Sequence, residues 1–336
     1  MEPHRPRNAR PRRRLHGWQR GLLGVFGVAG LYCGLVVTAA YLFLHPPRCM
    51  IDRRPDALGL RYEEISFASA ADHLMLRGWY IPASGSPRGL ILFCHGRDGN
   101  RGNVLVHADY LHRAGFALFA FDFRDCGDSE GVMSTIGWRE VSDALGAAAY
   151  LYGRADTRTV PLGLFGVSMG AAVAIQAAAR LPNVRCVVAD SPYATLDSAV
   201  RHRFFGLLGA GGEVFRGPVE RVGETMMGGS ALAVSPLAAI PKLSPRSILL
   251  IHGDEDAICD PEDSRRLLRA AAPGTARLWA VAGAGHVGAF NAHPEEYERR
   301  VAAFFRANLP GTLRTNYPPS EIAAHAHPLR TPLSRR

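Results

Sequence analysis

The feature that most constrains the fold is a regular alternation of apolar, strand-like runs and helix-like patterns, which begins near residue 60. Because the runs after residue 89 are almost continuously apolar, we expect them to be buried on both faces of a sheet. Repeated strand–helix units predict an α/β fold with a mostly parallel sheet and helices on both faces. The predicted strands are 61–67, 76–82, 89–94, 116–122, 161–166, 184–189, 247–251 and 276–281. The predicted helices are 102–114, 138–152, 169–181, 262–272 and 294–308.

Residues 192–244 interrupt this alternation. They combine short helical patterns, near 195–208 and 219–227, with glycine-rich turns such as 209–212. We interpret this segment as a small lid inserted over a functional site.

An uncharged apolar segment, residues 21–44, precedes the domain. A helix of this length would be about 36 Å long, enough to cross a hydrocarbon core of roughly 30 Å. Seven arginines lie within residues 1–20, whereas only Arg48, Arg53 and Arg54 follow closely. This asymmetry favours a cytoplasmic N-terminus and a domain on the opposite side of the membrane.

A cleaved signal peptide is the competing interpretation of the same segment, since Thr38, Ala39 and Ala40 offer small residues for cleavage. The arginines at 12–14 also weakly resemble a twin-arginine signal. The length of the apolar run, which continues through 41–44, favours a retained anchor. The predicted organisation is a basic tail, an anchor, a linker, a domain and a mobile C-terminal tail, at 1–20, 21–44, 45–60, 61–309 and 310–336.

Gly27, Gly30 and Gly34 share one face of the predicted anchor helix. Small residues at this spacing permit close helix approach, so a homodimer through this face is one hypothesis. The alternative is that glycine is simply common in membrane-spanning helices.

The distribution of charge and of cysteine excludes several classes of function. The net charge of +9 comes from the two ends of the chain, and the charges of 21–309 nearly balance. A nucleic-acid-binding protein needs its positive charge on the folded body, so no nucleic-acid partner is expected. The six cysteines form no C-x-x-C pair, and neither a metal nor an organic cofactor is predicted. A disulfide between Cys94 and Cys126 is conceivable in an oxidising compartment, although buried thiols are the commoner outcome.

The sharpest chemical signal is Gly166-Val-Ser168-Met-Gly170, which lies between a predicted strand and an Ala-rich helix. A strand-to-helix elbow holds its serine in a strained turn with no room for neighbouring side chains, so glycine is required on both sides. Ser168 is therefore predicted to be a nucleophile.

A serine nucleophile needs a histidine base and a carboxylate that orients it. His286 and Asp256 both follow predicted strands, in the loops where open α/β sheets build their sites. Asp254 and Asp260 are the alternatives to Asp256. His293 is interpreted as a surface or capping residue, and His252 as structural.

The backbone N–H groups of Met169 and Arg97 are the predicted donors to an oxyanion. Met169 follows the nucleophile, and Arg97 lies in the loop after the strand 89–94. The side chain of Arg97 is also a candidate for selecting an anionic substrate.

Together these residues resemble the α/β-hydrolase superfamily over roughly residues 60–309. The resemblance is carried by His95-Gly96, the stretch 122–131, Gly166–Gly170, 252–256 and Gly283–His286. It implies an eight-stranded sheet with an antiparallel first pairing and a Ser168–Asp256–His286 triad. Asp125 replaces the first glycine of the family's D-x-R-G-x-G-x-S-x-G turn, so the local backbone is expected to differ there.

Within the superfamily, Ser191-Pro192-Tyr193 and Val234–Leu237 resemble a subgroup with one N-terminal membrane helix and a short lid. The resemblance implies a membrane-anchored serine hydrolase that acts on a lipidic or small acyl ester or thioester. A serine peptidase and a non-catalytic binding or scaffold protein are the alternatives. The lid segment contains apolar residues at 204–205, 207–208 and 226–227. One interpretation is that they favour a lipidic substrate, and an equal alternative is that they pack the lid against the body of the domain.

Overall fold

The computed structural model describes residues 16–309 and residue 311. An eight-stranded sheet lies at its centre in the order β1-β2-β4-β3-β5-β6-β7-β8. β1 and β4 are antiparallel to β2, and the remaining pairs are parallel. The strands are β1 (Glu63–Ala68), β2 (Met75–Ile81), β3 (Leu90–Cys94), β4 (Ala117–Phe121), β5 (Leu162–Val167), β6 (Val184–Asp190), β7 (Ser247–Gly253) and β8 (Ala276–Val281). The predicted fold class is confirmed. Both ends of each predicted strand lie within two residues of the ends of the corresponding observed strand.

Helices lie on both faces of the sheet, and a long helix at the N-terminus packs against the domain with its C-terminal half. The helices are α1 (Gly17–Leu44), α2 (Ala108–Arg113), α3 (Glu140–Gly153), α4 (Met169–Ala178), α5 (Leu196–Leu208), α6 (Glu213–Met227), α7 (Pro236–Ala239), α8 (Pro261–Ala270), α9 (Ala289–Ala292) and α10 (Pro294–Asn308). The predicted helix 102–114 is instead a 3₁₀ helix, Asn103–His107, that continues into the short α2.

Side chains of the central strands alternate between two hydrophobic clusters, one on each face of the sheet. In β3, Leu90 and Leu92 join the cluster that includes α3 and α4, whereas Ile91 and Phe93 join the cluster that includes α2 and α10. Because both faces of these strands are buried, their sequences are continuously apolar and do not alternate between apolar and polar residues.

Helix α1 begins four residues before the predicted apolar segment and is long and apolar enough to cross a membrane. Its first half is exposed, whereas Val36, Ala40 and Leu44 are buried. These three residues follow one another at four-residue intervals and therefore share one face. The C-terminal half of α1 thus packs against the domain. Gly27, Gly30 and Gly34 are exposed, and dimerisation through them stays a prediction.

The predicted lid segment, 192–244, connects β6 to β7 and contains α5, α6 and α7. Some of its apolar residues are exposed, as a lipid-facing surface requires, and others pack against the domain. Phe205, Leu207 and Leu208 are exposed, whereas Phe204 and Met226 pack on the core and Met227 is buried.

The segment after α1 lies against the domain. Arg48 donates hydrogen bonds to the carbonyls of Ser129 and Gly131 and pairs with Asp125 at 3.2 Å. Asp125 has a φ of +59°, in the left-handed region that glycine adopts more readily than other residues. The backbone difference expected from the family's turn stays a prediction. The tails 1–15 and 312–336 lie outside the described residues.

The conceivable disulfide between Cys94 and Cys126 is not formed, and both thiols are free and buried. The Sγ of Cys126 lies 3.7 Å from the carbonyl oxygen of Arg97. Burial raises the pKa of both thiols, so they behave as small apolar side chains.

Candidate active site

Ser168 lies in a tight turn between β5 and α4. Its φ is +54°, a conformation that non-glycine residues seldom adopt. A Cβ atom at Gly166 would lie 2.2 Å from the carbonyl oxygen of Gly170, and one at Gly170 would lie 2.0 Å from that of Cys94. Both glycines are therefore required by the close approach of backbone to backbone.

The structure brings Ser168, His286 and Asp256 together. The Oγ of Ser168 lies 2.8 Å from Nε2 of His286, and Nδ1 of His286 lies 2.7 Å from Oδ2 of Asp256. The side chain of Asp256 is buried, while Ser168 and His286 are partly exposed. In this arrangement a neutral His286 ring donates from Nδ1 to the carboxylate and accepts the serine proton at Nε2.

Asp256 is held by four donors. Its Oδ1 accepts the backbone N–H groups of Ile258 and Cys259, at 2.8 and 2.9 Å. Its Oδ2 accepts from the rings of His286 and His252. Burial by itself raises the pKa of Asp256, but the hydrogen bonds from His252 and His286 outweigh it and hold the pKa well below the usual range. Asp256 is therefore an anion at neutral pH.

His252 contributes to this site, a role that the sequence-based interpretation did not include. The ring is buried, and its Nε2 lies 3.2 Å from Oδ2 of Asp256. Its Nδ1 lies 2.6 Å from the hydroxyl of Ser264. Because Ser264 can donate to Nδ1, Nε2 carries the proton that Asp256 accepts. The spacing of four residues between His252 and Asp256, directly after a strand, is the sequence signal for this contact.

The loop of His286 is fixed by Ser191, which was noted in the sequence without a role. The hydroxyl of Ser191 accepts the N–H of Val287 at 3.1 Å and donates to Asp190 at 3.0 Å. Tyr297 donates to the other carboxylate oxygen of Asp190 at 2.7 Å. Burial raises the pKa of Asp190. These contacts join the end of β6, the His286 loop and α10.

The alternative candidates have other roles. Asp254 accepts the N–H of Gly283 at 2.7 Å and so shapes the turn that leads to His286. Asp260 caps α8 by accepting the N–H of Glu262. His293 is exposed and directly precedes α10.

A cavity of about 380 Å³ opens beside Ser168, and both predicted oxyanion donors line it. Met169 is the first residue of α4, so its N–H has no acceptor within the helix. A Cβ atom at Gly96 would lie 3.6 Å from the Cβ of Ser168, which places the peptide between Gly96 and Arg97 near the serine. Within residues 16–309 and 311, no cluster of three metal-ligating side chains is present.

The guanidinium of Arg97 is engaged by the end of α1. It donates to the carbonyl of Phe43 at 2.6 Å, lies 4.9 Å from the ring of Phe43, and pairs with Asp98 at 3.2 Å. The expected role of this side chain in selecting an anionic substrate stays a prediction. Phe43 itself lines the cavity, so the C-terminal turn of α1 forms part of the site.

Comparison with known proteins finds relatives of the same fold. Residues 85–215 match the family model described as serine aminopeptidase, S33. The chain has the α/β-hydrolase fold. An esterase is among the solved structures that share this fold.

Individual relatives align with most of this chain. It is 27% identical over 257 residues to the uncharacterized protein YfhR of Escherichia coli, covering 74% of this chain and 81% of the relative. An esterase of Pyrococcus furiosus superposes with a TM-score of 0.67 at 24% identity, covering 80% of this chain and 98% of that chain. The acylaminoacyl peptidase of Pyrococcus horikoshii superposes with a TM-score of 0.60 at 14% identity, covering 80% of this chain and 46% of that chain. At such identities the two structures establish the fold.

Proposed function

We propose that this chain is a membrane-anchored serine hydrolase that cleaves acyl esters or thioesters through an acyl-enzyme. The observation that carries the proposal is the contact of 2.8 Å between Ser168 Oγ and His286 Nε2, with Asp256 on the far side of the ring. A serine hydroxyl is a weak nucleophile unless an adjacent base removes its proton.

The reaction has two half-reactions. Ser168 Oγ attacks the substrate carbonyl while His286 Nε2 takes the hydroxyl proton, and the N–H groups of Met169 and Arg97 stabilise the oxyanion. His286 then protonates the leaving group. In the second half-reaction His286 takes a proton from water, the resulting hydroxide attacks the acyl group, and Ser168 regains its proton as the acid departs.

The surface of the chain favours a substrate near a membrane. Helix α1 exposes Trp18, Phe26 and Leu31, and the lid segment exposes Phe205 and Leu208. The hydroxyl of Tyr32 donates to the carbonyl of Val214 at 2.6 Å, so the lid lies beside the membrane-length helix. Apolar residues continuous with such a helix fit a lipid interface better than water.

Helix α1 is proposed to be retained as an anchor with its N-terminus in the cytoplasm. Leu44 lies in the main core of the domain, and Ala40 packs against the lid residue Val219. Cleavage near Ala40 would remove one side of this packing. The seven arginines of residues 1–20 support the orientation.

A serine peptidase is the second candidate. The family model is described as a serine aminopeptidase, and one structural relative is a peptidase. The same triad can attack an ester or an amide carbonyl. The substrate therefore has to be decided by experiment.

The test uses the full chain in detergent and a fluorophosphonate probe, which reacts with activated serines. We expect wild type and the exposed-loop control Ser84→Ala to be labelled, and Ser168→Ala to remain unlabelled. Acyl esters and thioesters of graded chain length are then compared with peptide amides. Folded wild type without labelling would support a binding protein instead, and faster cleavage of amides than of esters would support the peptidase.

A further inference from the structure

A second cavity adjoins the catalytic one. It lies between α1, α5 and α6, and we call it the apolar slot, defined by Ala40, Phe43, Val200, Val219 and Gly223. Phe43 lines both the slot and the catalytic cavity, and so does Ile136. Phe43 and Ile136 therefore lie between the two cavities, and an acyl chain attached at Ser168 would have to pass them to reach the slot.

The slot is lined almost entirely by groups that cannot form hydrogen bonds. Its one ionisable lining residue, Glu220, is paired with Arg216 at 3.1 Å. The volume is about 30 Å³, against the roughly 10–15 Å³ that one water molecule needs on the same measure. A water there would lack polar partners, whereas a methylene group gains by leaving water.

Gly223 keeps the slot open. It is buried in the middle of α6, and a Cβ atom built on it would meet nothing within 4 Å. Its φ lies outside the left-handed region, so the backbone does not require glycine here. Glycine within a helix lowers stability relative to alanine. The missing side chain thus leaves buried space next to the catalytic cavity.

We propose that the apolar slot binds the acyl chain of the substrate, with the end of α1 as one wall. This inference rests on the proposed function and narrows its substrate to esters or thioesters of linear acyl chains. Because the slot is narrow, α6 has to shift away from α1 as the chain enters. Among the described residues, Val36, Ala40 and Val219 are the buried members of the contact between them, and Phe215, Val222 and Met226 of α6 pack against these three.

The test measures kcat/KM for p-nitrophenyl esters from butyrate to palmitate, using the full chain in detergent. Gly223→Leu fills the slot, so we expect the ratio of palmitate to butyrate turnover to fall by about tenfold, the effect of roughly two methylene groups left in water. Gly223→Ala adds only one methyl group and should lower the ratio less. Thr225→Leu, at an exposed position of the same helix, is the matched control and should keep the wild-type ratio.

A second variant, expected to raise the ratio of palmitate to butyrate turnover, tests the inference if Gly223→Leu does not fold. Val200→Ala widens the slot from the α5 side and should raise the ratio. Unchanged ratios in folded Gly223→Leu and Val200→Ala, with esters still hydrolysed, would overturn the slot and leave the proposed function standing. Absence of both ester hydrolysis and fluorophosphonate labelling in wild type would overturn the proposed function itself.

Discussion

Nε2 of His252 lies 3.2 Å from Oδ2 of Asp256, the same carboxylate oxygen that the ring of His286 approaches at 2.7 Å. His252 touches no substrate in the proposed reaction. It acts through Asp256, as a positioning residue that keeps the carboxylate charged and aimed at His286.

Replacing His252 should slow turnover without weakening substrate binding. A hydrogen bond to a charged group contributes about 1.5–3 kcal/mol, so His252→Phe should lower kcat for a short ester by roughly tenfold or more. KM should stay near the wild-type value, because the cavity lining is unchanged. His252→Gln retains a side-chain N–H donor and should recover part of the rate. Equal losses in both variants, in proportion to lost thermal stability, would indicate a merely structural role.

Gly170→Ala should abolish the folded state or destabilise it strongly. The added methyl carbon would lie 2.0 Å from the carbonyl oxygen of Cys94. Both atoms are attached directly to the backbone, so neither can rotate away. Overpacking a buried site costs about 1–3 kcal/mol. Because rigid backbone lies on both sides of Gly170, we expect the loss of stability to reach about 3 kcal/mol or more. Gly153→Ala at the end of α3 meets no atom within 4 Å and serves as control. Urea unfolding measures both, and equal stabilities would contradict the geometry of the elbow.

Leu44→Ala and Leu42→Ala test whether the end of α1 is part of the folded domain. Leu44 is 2% exposed and lies in the main core, whereas Leu42 is 61% exposed. Removing a buried leucine side chain costs about 2–5 kcal/mol, so only Leu44→Ala should lower the stability clearly. Thermal unfolding in detergent compares the two. Similar melting temperatures would show that α1 does not pack as described.

His107 should make the fold sensitive to mild acid. Its ring is buried among Phe165, Phe290 and Tyr297, and burial lowers its pKa to about 3 from an ordinary value of 6.5. Between these values the unfolded chain binds a proton that the folded chain excludes, so stability falls as the pH drops below 6.5.

Substitution of His107 should reduce that dependence. Wild type should lose about 2 kcal/mol more than His107→Phe between pH 7.5 and 5, because the slope approaches about 1.36 kcal/mol per pH unit only well below pH 6.5. Urea unfolding at pH 7.5, 6.5 and 5 measures the difference. His95, whose pKa burial also lowers, is present in both proteins and cancels. Parallel curves for the two proteins would contradict a neutral buried His107.

The sequence alone determined the features that depend on local order. Continuous apolar runs predicted the central strands, since burial on both faces leaves no polar alternation. The glycines around Ser168 predicted the elbow, because that turn excludes side chains within five residues of chain. Ser168, Asp256 and His286 follow the ends of three parallel strands, β5, β7 and β8, which predicted three residues at one edge of the sheet, where the structure places them.

Only the tertiary structure decided how distant segments meet. The guanidinium of Arg97 binds the carbonyl of Phe43, 54 residues earlier, because α1 docks beside the catalytic cavity. Phe204 packs inward while Phe205 is exposed, although the two are adjacent and chemically identical. The sequence pattern does not tell which of the two phenylalanines is buried, because that depends on which side of the helix docks against the domain. Local spacing sets which residues share a face, and the docking of whole elements sets what that face touches.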